Sequence, residues 1–158
     1  MKQYKVTFLK ITIFIIGLTI LSLCIFLLPN LAKEAAAMDP EYAYLKMPVL
    51  MGIYLSAIPF FLALYQALKI LNYIKGKAAF TNLSVTSLGY IKNCAIAIIV
   101  LYLIGMILLT ALNTLHPGIA LVGIVITFAS LVIAVFSAIL QELLRSAIEL
   151  KSENDLTV

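Results

Sequence analysis

Uncharged apolar stretches dominate the chain and alternate with short polar segments. Four of these stretches cover residues 11–29, 48–68, 94–112 and 119–140, and none contains Asp, Glu, Lys, Arg or His. A helix rises about 1.5 Å per residue and the hydrocarbon core of a bilayer is about 30 Å thick, so a span needs about 20 such residues. The pattern therefore predicts four transmembrane segments.

Uninterrupted apolar runs favour helices over β-barrel strands. A helix satisfies its own backbone hydrogen bonds within lipid, whereas barrel strands alternate apolar and polar side chains. We therefore expect an all-α fold, an integral membrane four-helix transmembrane bundle that forms one domain over residues 1–158. The composition agrees, since 64% of the residues are hydrophobic and 11% are charged, against about 45–50% and about 25% in soluble domains.

The first stretch also has features of a cleavable signal peptide. Lys2, Lys5 and Lys10 precede it, and the alanines at 35–37 resemble a cleavage site. The apolar region of a signal peptide is about 7–15 residues long. This stretch is longer and ends at Pro29, well before those alanines. We therefore expect that it is retained as the first transmembrane helix.

The basic residues predict the orientation of the spans. Of the 11 Lys and Arg residues, only Lys33 and Lys46 lie in the segments expected on one side of the membrane. The others flank the spans on the opposite side, and they are Lys2, Lys5, Lys10, Lys69, Lys75, Lys77, Lys92, Arg145 and Lys151. Cytoplasmic segments carry the excess of basic residues. Both termini and the loop 69–93 are therefore predicted to be cytoplasmic.

The loop 69–93 is the only sizeable cytoplasmic loop that the pattern predicts. Gly76 is expected to end the second span, and Thr81 is expected to cap a new helix that lies along the membrane interface before the third span begins. The lysines of this loop either set the topology or hold anionic lipid.

The chain after residue 140 keeps apolar residues at helical spacing, which predicts an amphipathic cytoplasmic helix over 141–153. Arg145 and Glu149 are four residues apart and could form an ion pair on it. The terminal Val158 could enter a pocket of a partner, or the end could be a frayed, solvated tail. The candidates for partner contact are Phe80, Asn82, Arg145, Glu149 and Val158.

Small residues recur every four positions in the fourth span, at Ser130, Ala134 and Ala138. Such spacing lets another helix approach closely. We expect an internal packing seam there, although the same pattern would serve a homo-oligomer.

Groups that commonly carry chemistry are scarce. Cys24 and Cys94 lie in apolar runs and are expected to be packing residues. His116 stands alone in a short turn, without neighbours at metal-ligand spacing. We therefore expect no enzyme, cofactor or metal site. The basic residues are too scattered for direct nucleic acid binding, and the spans lack the ionisable residues typical of ion-coupled transporters.

Two segments resemble a known family. Phe80-Thr81-Asn82 after Gly76, followed by a leucine-bearing helix, is similar to a loop of the YoaS-like (DUF2975) family of small bacterial membrane proteins, and the terminal run 147–158 is similar to that family's ending. The resemblance extends over essentially the whole chain. It implies a multi-pass protein of the bacterial plasma membrane with four helices. It adds no catalytic or binding residues, and it implies a neighbouring helix-turn-helix transcriptional regulator.

These observations favour a regulatory or interaction protein that lies in the lipid bilayer and acts on such a helix-turn-helix regulator. Two other functions are open. The protein could be a small transporter or pore subunit for a neutral solute, or a membrane immunity or stress protein that acts through its outer loop.

Overall fold

A computed structural model describes residues 3–27, 29–30, 33, 37, 46–76, 79–112 and 117–157. Four α-helices account for most of these residues: α1 is Gln3–Ser22, α2 is Lys46–Lys75, α3 is Asn82–Ala111 and α4 is Pro117–Thr157. A π-helical turn at Leu23–Leu27 continues α1. The prediction of an all-α fold is confirmed.

Four helical segments are long and apolar enough to cross a membrane. They are Tyr4–Phe26, Val49–Lys75, Asn82–Ala111 and Ala120–Leu156, with mean hydropathy between 1.7 and 2.7. The prediction of four candidate spans is confirmed. The 41 residues of α4 correspond to about 60 Å of helix, about twice the thickness of the hydrocarbon core. A large part of α4 must therefore lie outside the hydrocarbon.

The helices are longer than the uncharged stretches, so the segment 69–93 is mostly helical and not a loop. α2 continues to Lys75, where the N–H of Gly76 donates to the carbonyl of Asn72 at 3.0 Å. α3 begins at Asn82 and runs without a break into the third span. The expectation of a separate interfacial helix was therefore wrong. Lysine is a good helix former, so it marks where the hydrocarbon ends without ending the helix.

Thr81 occupies the position just before α3, in an extended conformation with φ −134° and ψ 162°. Its carbonyl accepts hydrogen bonds from the N–H groups of Ser84 at 3.1 Å and Val85 at 3.4 Å. The change from helix to extended chain and back thus takes place over a few residues. It places the end of α2 and the start of α3 at the same end of the molecule.

Extensive contacts join helices that are neighbours in the chain. The contact between α3 and α4 is the largest, α2 packs on α3, and α1 packs on α2 over a smaller area. Among the described residues, the buried apolar side chains are few, namely Val6, Leu71, Val85, Ala95, Ile98 and Ala134. Most large apolar side chains face outward, which suits a chain whose solvent is lipid. The helices therefore contact the lipid bilayer over most of their surface.

Polar side chains tie the helices together where α2 crosses its neighbours. The Tyr54 hydroxyl donates to the Cys24 carbonyl at 2.6 Å, within the π-helical turn. The Ser56 and Tyr102 hydroxyls of α2 and α3 are 3.0 Å apart. Such pairs satisfy polar groups that have no water partner within lipid.

The buried face of α4 follows Ser130, Ala134, Ser137 and Gln141, while Ala138 is half-buried at its edge. A strict four-residue repeat turns by about 40° per step around a helix with 3.6 residues per turn. The sequence pattern therefore drifts off the contact at its third member. A spacing of four, three and four residues stays on the face.

Candidate functional site: the polar seam between α3 and α4

A buried polar contact joins α3 and α4 near the first turns of α3. We call it the polar seam and define it as Val85, Gly89 and Lys92 of α3 with Gln141 of α4. The Gln141 side chain is only 7% exposed. Its Nε2 donates to the Val85 carbonyl at 3.0 Å, and its Oε1 lies 3.5 Å from the Lys92 Nζ. Both ends of the amide are therefore engaged across the interface.

Gly89 provides the space that the Gln141 amide occupies. A Cβ atom at position 89 would lie 2.9 Å from Gln141 Nε2. That separation is below an ordinary van der Waals contact, so any larger residue would displace the amide. The polar seam thus depends on the absence of a side chain at this position.

Lys92 is half-buried beside the Gln141 amide oxygen. A contact of 3.5 Å is long for a hydrogen bond, so the ammonium adds a weak electrostatic attraction to the amide oxygen. The seam consists of neutral donors and acceptors plus one cation. In the part of the chain that the structure describes, no three His, Cys, Asp or Glu side chains group to hold a metal ion. The contacts of the polar seam can therefore fix the position of α4 along α3.

Other basic residues lie at the same end as the polar seam. Lys10 of α1 donates to Asn72 Oδ1 of α2, which brings the first half of α1 to the end of α2. Lys69 and Lys75 lie on either side of Asn72 in α2. The structure therefore places lysines of α1, α2 and α3 at one end of the molecule. The sequence pattern predicted that these lysines lie on one side of the membrane.

The described candidates for partner contact lie at that same end and are exposed. Phe80 is 56% exposed just before α3, Asn82 is the exposed first residue of α3, and Arg145 and Glu149 are exposed in α4 beyond Gln141. Val158 lies outside the described residues. The end thus collects four of the five candidates, two at the start of α3 and two on α4.

The expected pair of Arg145 with Glu149 is not the one that forms. Arg145 Nη1 lies 2.8 Å from Glu142 Oε1, and both side chains are more than half exposed. An acidic residue that precedes its basic partner in a helix is the more favourable order, and Glu142 satisfies it while Glu149 does not. An exposed pair of this kind stabilises a protein little.

Sequence reasoning missed Gln141 and Gly89. Gln141 follows the last apolar residue of the fourth span and looks like the first solvated position. The signal that could have identified it is its place on the line Ser130, Ala134, Ser137 and Gln141, which keeps to one face of the helix. Gly89 gave no signal, because nothing local distinguishes a spacer glycine from any other.

Comparisons with known proteins agree with the membrane architecture. The family described as "Protein of unknown function (DUF2975)" matches residues 30–158. The chain is 49% identical to the "Uncharacterized membrane protein YoaS" of Bacillus subtilis (strain 168), over 160 aligned residues that cover 100% of both chains. No solved structure matches the chain. With four apolar helices and this relative, the chain is a multi-pass membrane protein, and it belongs to the DUF2975 family.

Proposed function

We propose that this protein is a non-enzymatic membrane protein that binds a cytoplasmic regulatory protein through the exposed end of α4. The supporting observation is the length of α4. It continues for 142–157 past the polar seam, which is about 24 Å of helix at about 1.5 Å per residue. We call this part, residues 142–157, the stalk.

The surface of the stalk favours protein binding over simple solvation. Leu143 and Leu150 are 62% and 66% exposed, and a seven-residue spacing puts them on one side of the helix. Glu142, Arg145 and Glu149 lie near them. Exposed leucines with adjacent charges are the pattern by which an amphipathic helix docks into a groove of a partner.

The proposed cytoplasmic location rests on the basic residues at the end of the molecule that carries the stalk. Cytoplasmic flanks of membrane helices carry the excess of lysine and arginine. Alkaline phosphatase fused after the C-terminus should be inactive, since it matures only outside the cytoplasm, and the same reporter inserted near Lys33 should be active. The reverse result would place the stalk outside and would contradict the proposal.

We propose a helix-turn-helix transcriptional regulator as the partner class, which is the class that the resemblance described in the sequence analysis suggests. The test is co-purification from native membranes with Leu143→Glu and Leu150→Glu together. Loss of the regulator from this variant, with the wild type retaining it, would support the stalk as the binding surface. Ser152→Glu is the matched control, because position 152 lies on the opposite side of the helix and is exposed.

Two results would count against the proposal. One is wild-type protein that captures no regulator from native membranes and a transcriptome that is unchanged on deletion of the gene. The other is solute-dependent flux through the purified protein in proteoliposomes, which would favour a transporter or pore instead.

A further inference from the structure

A second polar cluster joins α1 and α2, on a different pair of helices from the polar seam. We propose that Lys10, Lys69, Asn72 and Lys75 bind the phosphate of an anionic phospholipid headgroup, and we call these four residues the headgroup site. The inference is independent of the proposed function and of which side of the membrane the site faces.

The geometry brings the four side chains to one surface. Lys10 donates to Asn72 Oδ1, which leaves the Asn72 Nδ2 as a donor directed elsewhere. Residues 69, 72 and 75 follow at intervals of three, so they lie within a sector of about 120° on α2. Asn72 and Lys75 are exposed. Lys69 and Lys75 therefore stand about one turn before and one turn after the amide on this side of α2.

Lys69 is held by its own helix. Its Nζ lies 5.1 Å from the centre of the Tyr65 ring, within the range of a cation–π contact. This contact restrains the long side chain near the surface of α2. A restrained cation loses less conformational freedom when it binds an anion.

The site has no internal counter-ion. Within the described ranges, every Asp and Glu lies in α4, and α1 and α2 contain none. α4 makes its extensive contact with α3, so these acidic residues stand on a helix other than the two that carry the site. Three lysines without a carboxylate repel each other, and an anion between them would remove that repulsion.

The depth of the site favours a lipid over free phosphate. Lys10 directly precedes the uncharged stretch 11–29, and Lys69 directly follows the stretch 48–68. The amines therefore lie where the hydrocarbon ends and the phosphate groups of lipids begin. Exposed apolar side chains adjoin Lys10 along α1, with Phe8 68%, Ile11 53% and Phe14 60% exposed. A molecule with a phosphate and an acyl chain fits both surfaces.

The test is native mass spectrometry of the full chain in a neutral detergent. Phosphatidylglycerol, phosphatidylcholine and inorganic phosphate are each titrated in separate experiments. The wild type should retain phosphatidylglycerol in preference to phosphatidylcholine. Lys69→Gln with Lys75→Gln should weaken phosphatidylglycerol binding about 25-fold, since a lysine near an anionic surface contributes about a factor of five. This variant keeps the Lys10–Asn72 hydrogen bond, so the packing of α1 on α2 is preserved.

A matched control removes two positive charges elsewhere, with Arg145→Gln and Lys151→Gln in the stalk. It should bind phosphatidylglycerol as the wild type does. Asn72→Asp, which places a carboxylate between the lysines, should abolish the preference while its far-UV spectrum stays helical.

Three outcomes would overturn the inference. The first is equal retention of phosphatidylcholine and phosphatidylglycerol by the wild type. The second is a loss of phosphatidylglycerol binding in the stalk control as large as that in the Lys69→Gln and Lys75→Gln variant. The third is binding of inorganic phosphate that this variant loses, while lipid binding shows no headgroup preference. The last outcome would assign the lysines to a soluble anion.

Discussion

Replacing Gly89 by alanine should destabilise the protein, and the loss should depend on Gln141. A Cβ at position 89 would lie 2.9 Å from Gln141 Nε2, whereas ordinary contact begins at 3.4 Å. The amide nitrogen must therefore shift by about 0.5 Å, and a shift away from the Val85 carbonyl takes their 3.0 Å hydrogen bond past the usual limit of about 3.2 Å.

The size of the effect follows from what the retreat removes. Hydrogen bonds between helices in membrane proteins contribute about 0.6 kcal/mol on average and about 1.7 kcal/mol at most. A buried amide left without its partner costs about 1–3 kcal/mol. Alanine offsets part of this, since it is favoured over glycine in a helix by about 0.5–1 kcal/mol. The free energy of unfolding of Gly89→Ala should therefore fall by about 1–2 kcal/mol.

Unfolding can be followed in mixed micelles with increasing dodecyl sulfate. The chain has no Trp, so far-UV circular dichroism is the suitable probe of helix loss. Cys24 and Cys94 are unpaired and half-buried, and their reaction with a thiol-specific fluorophore gives a second measure. Gly89→Ala should shift both transitions to lower detergent fraction.

Gly105→Ala is the control within the same helix. A Cβ there meets nothing within 4 Å, so this variant should be as stable as the wild type or slightly more stable. In a chain that carries Gln141→Ala, the penalty of Gly89→Ala should disappear, which corresponds to a coupling of about 1–2 kcal/mol in the double-mutant cycle. A penalty that persists without the Gln141 amide, or one that Gly105→Ala shares, would refute the reasoning.

Three further predictions concern the other parts of the fold. Gly123→Leu should destabilise the protein more than Gly52→Leu in the same unfolding assay. A Cβ at position 123 would lie 2.7 Å from the sulfur of Met106, whereas a Cβ at position 52 meets nothing within 4 Å. Tyr54→Phe removes the 2.6 Å hydrogen bond to the Cys24 carbonyl, so it should cost about 0.6–1.7 kcal/mol and speed thiol labelling at Cys24. Deleting 149–157 should change the unfolding free energy by less than about 0.5 kcal/mol, since residues 149–156 are exposed, and carbonate extraction should still find the chain in the membrane.

The spans could be predicted from sequence because lipid imposes a simple requirement. A stretch must be uncharged over the thickness of the hydrocarbon, and residues 94–112 meet that requirement whatever they pack against. The helix ends could not be predicted in the same way. Lys69 and Lys92 mark the limit of the hydrocarbon, yet both lie inside helices that continue, because water and lipid headgroups tolerate a helix as well as a loop.

The helix contacts were harder to predict, because lipid-facing and helix-facing positions are both apolar. Hydropathy does not separate Leu131, which is 50% exposed, from Ala134, which is 8% exposed. Side-chain size is the remaining signal. It pointed to Ser130 and Ala134 as helix-packing residues, and both are buried in the structure. It gave no sign of Gln141, because polarity at the end of a span usually indicates solvent.

The position of Gln141 links the packing of α4 to the proposed role of the stalk. α4 contains no Gly or Pro after Gly123, so it lacks the residues at which helices usually bend. The direction of the stalk is therefore determined by how α4 packs on α3, and Gln141 is the last buried residue of that contact. A partner that binds at Leu143 and Leu150 would meet a surface held at a fixed place relative to the membrane. This need for a fixed position gives a physical reason for Gln141 and the facing Gly89. An apolar residue such as leucine at position 141 would suit the lipid but would not form the hydrogen bond to α3.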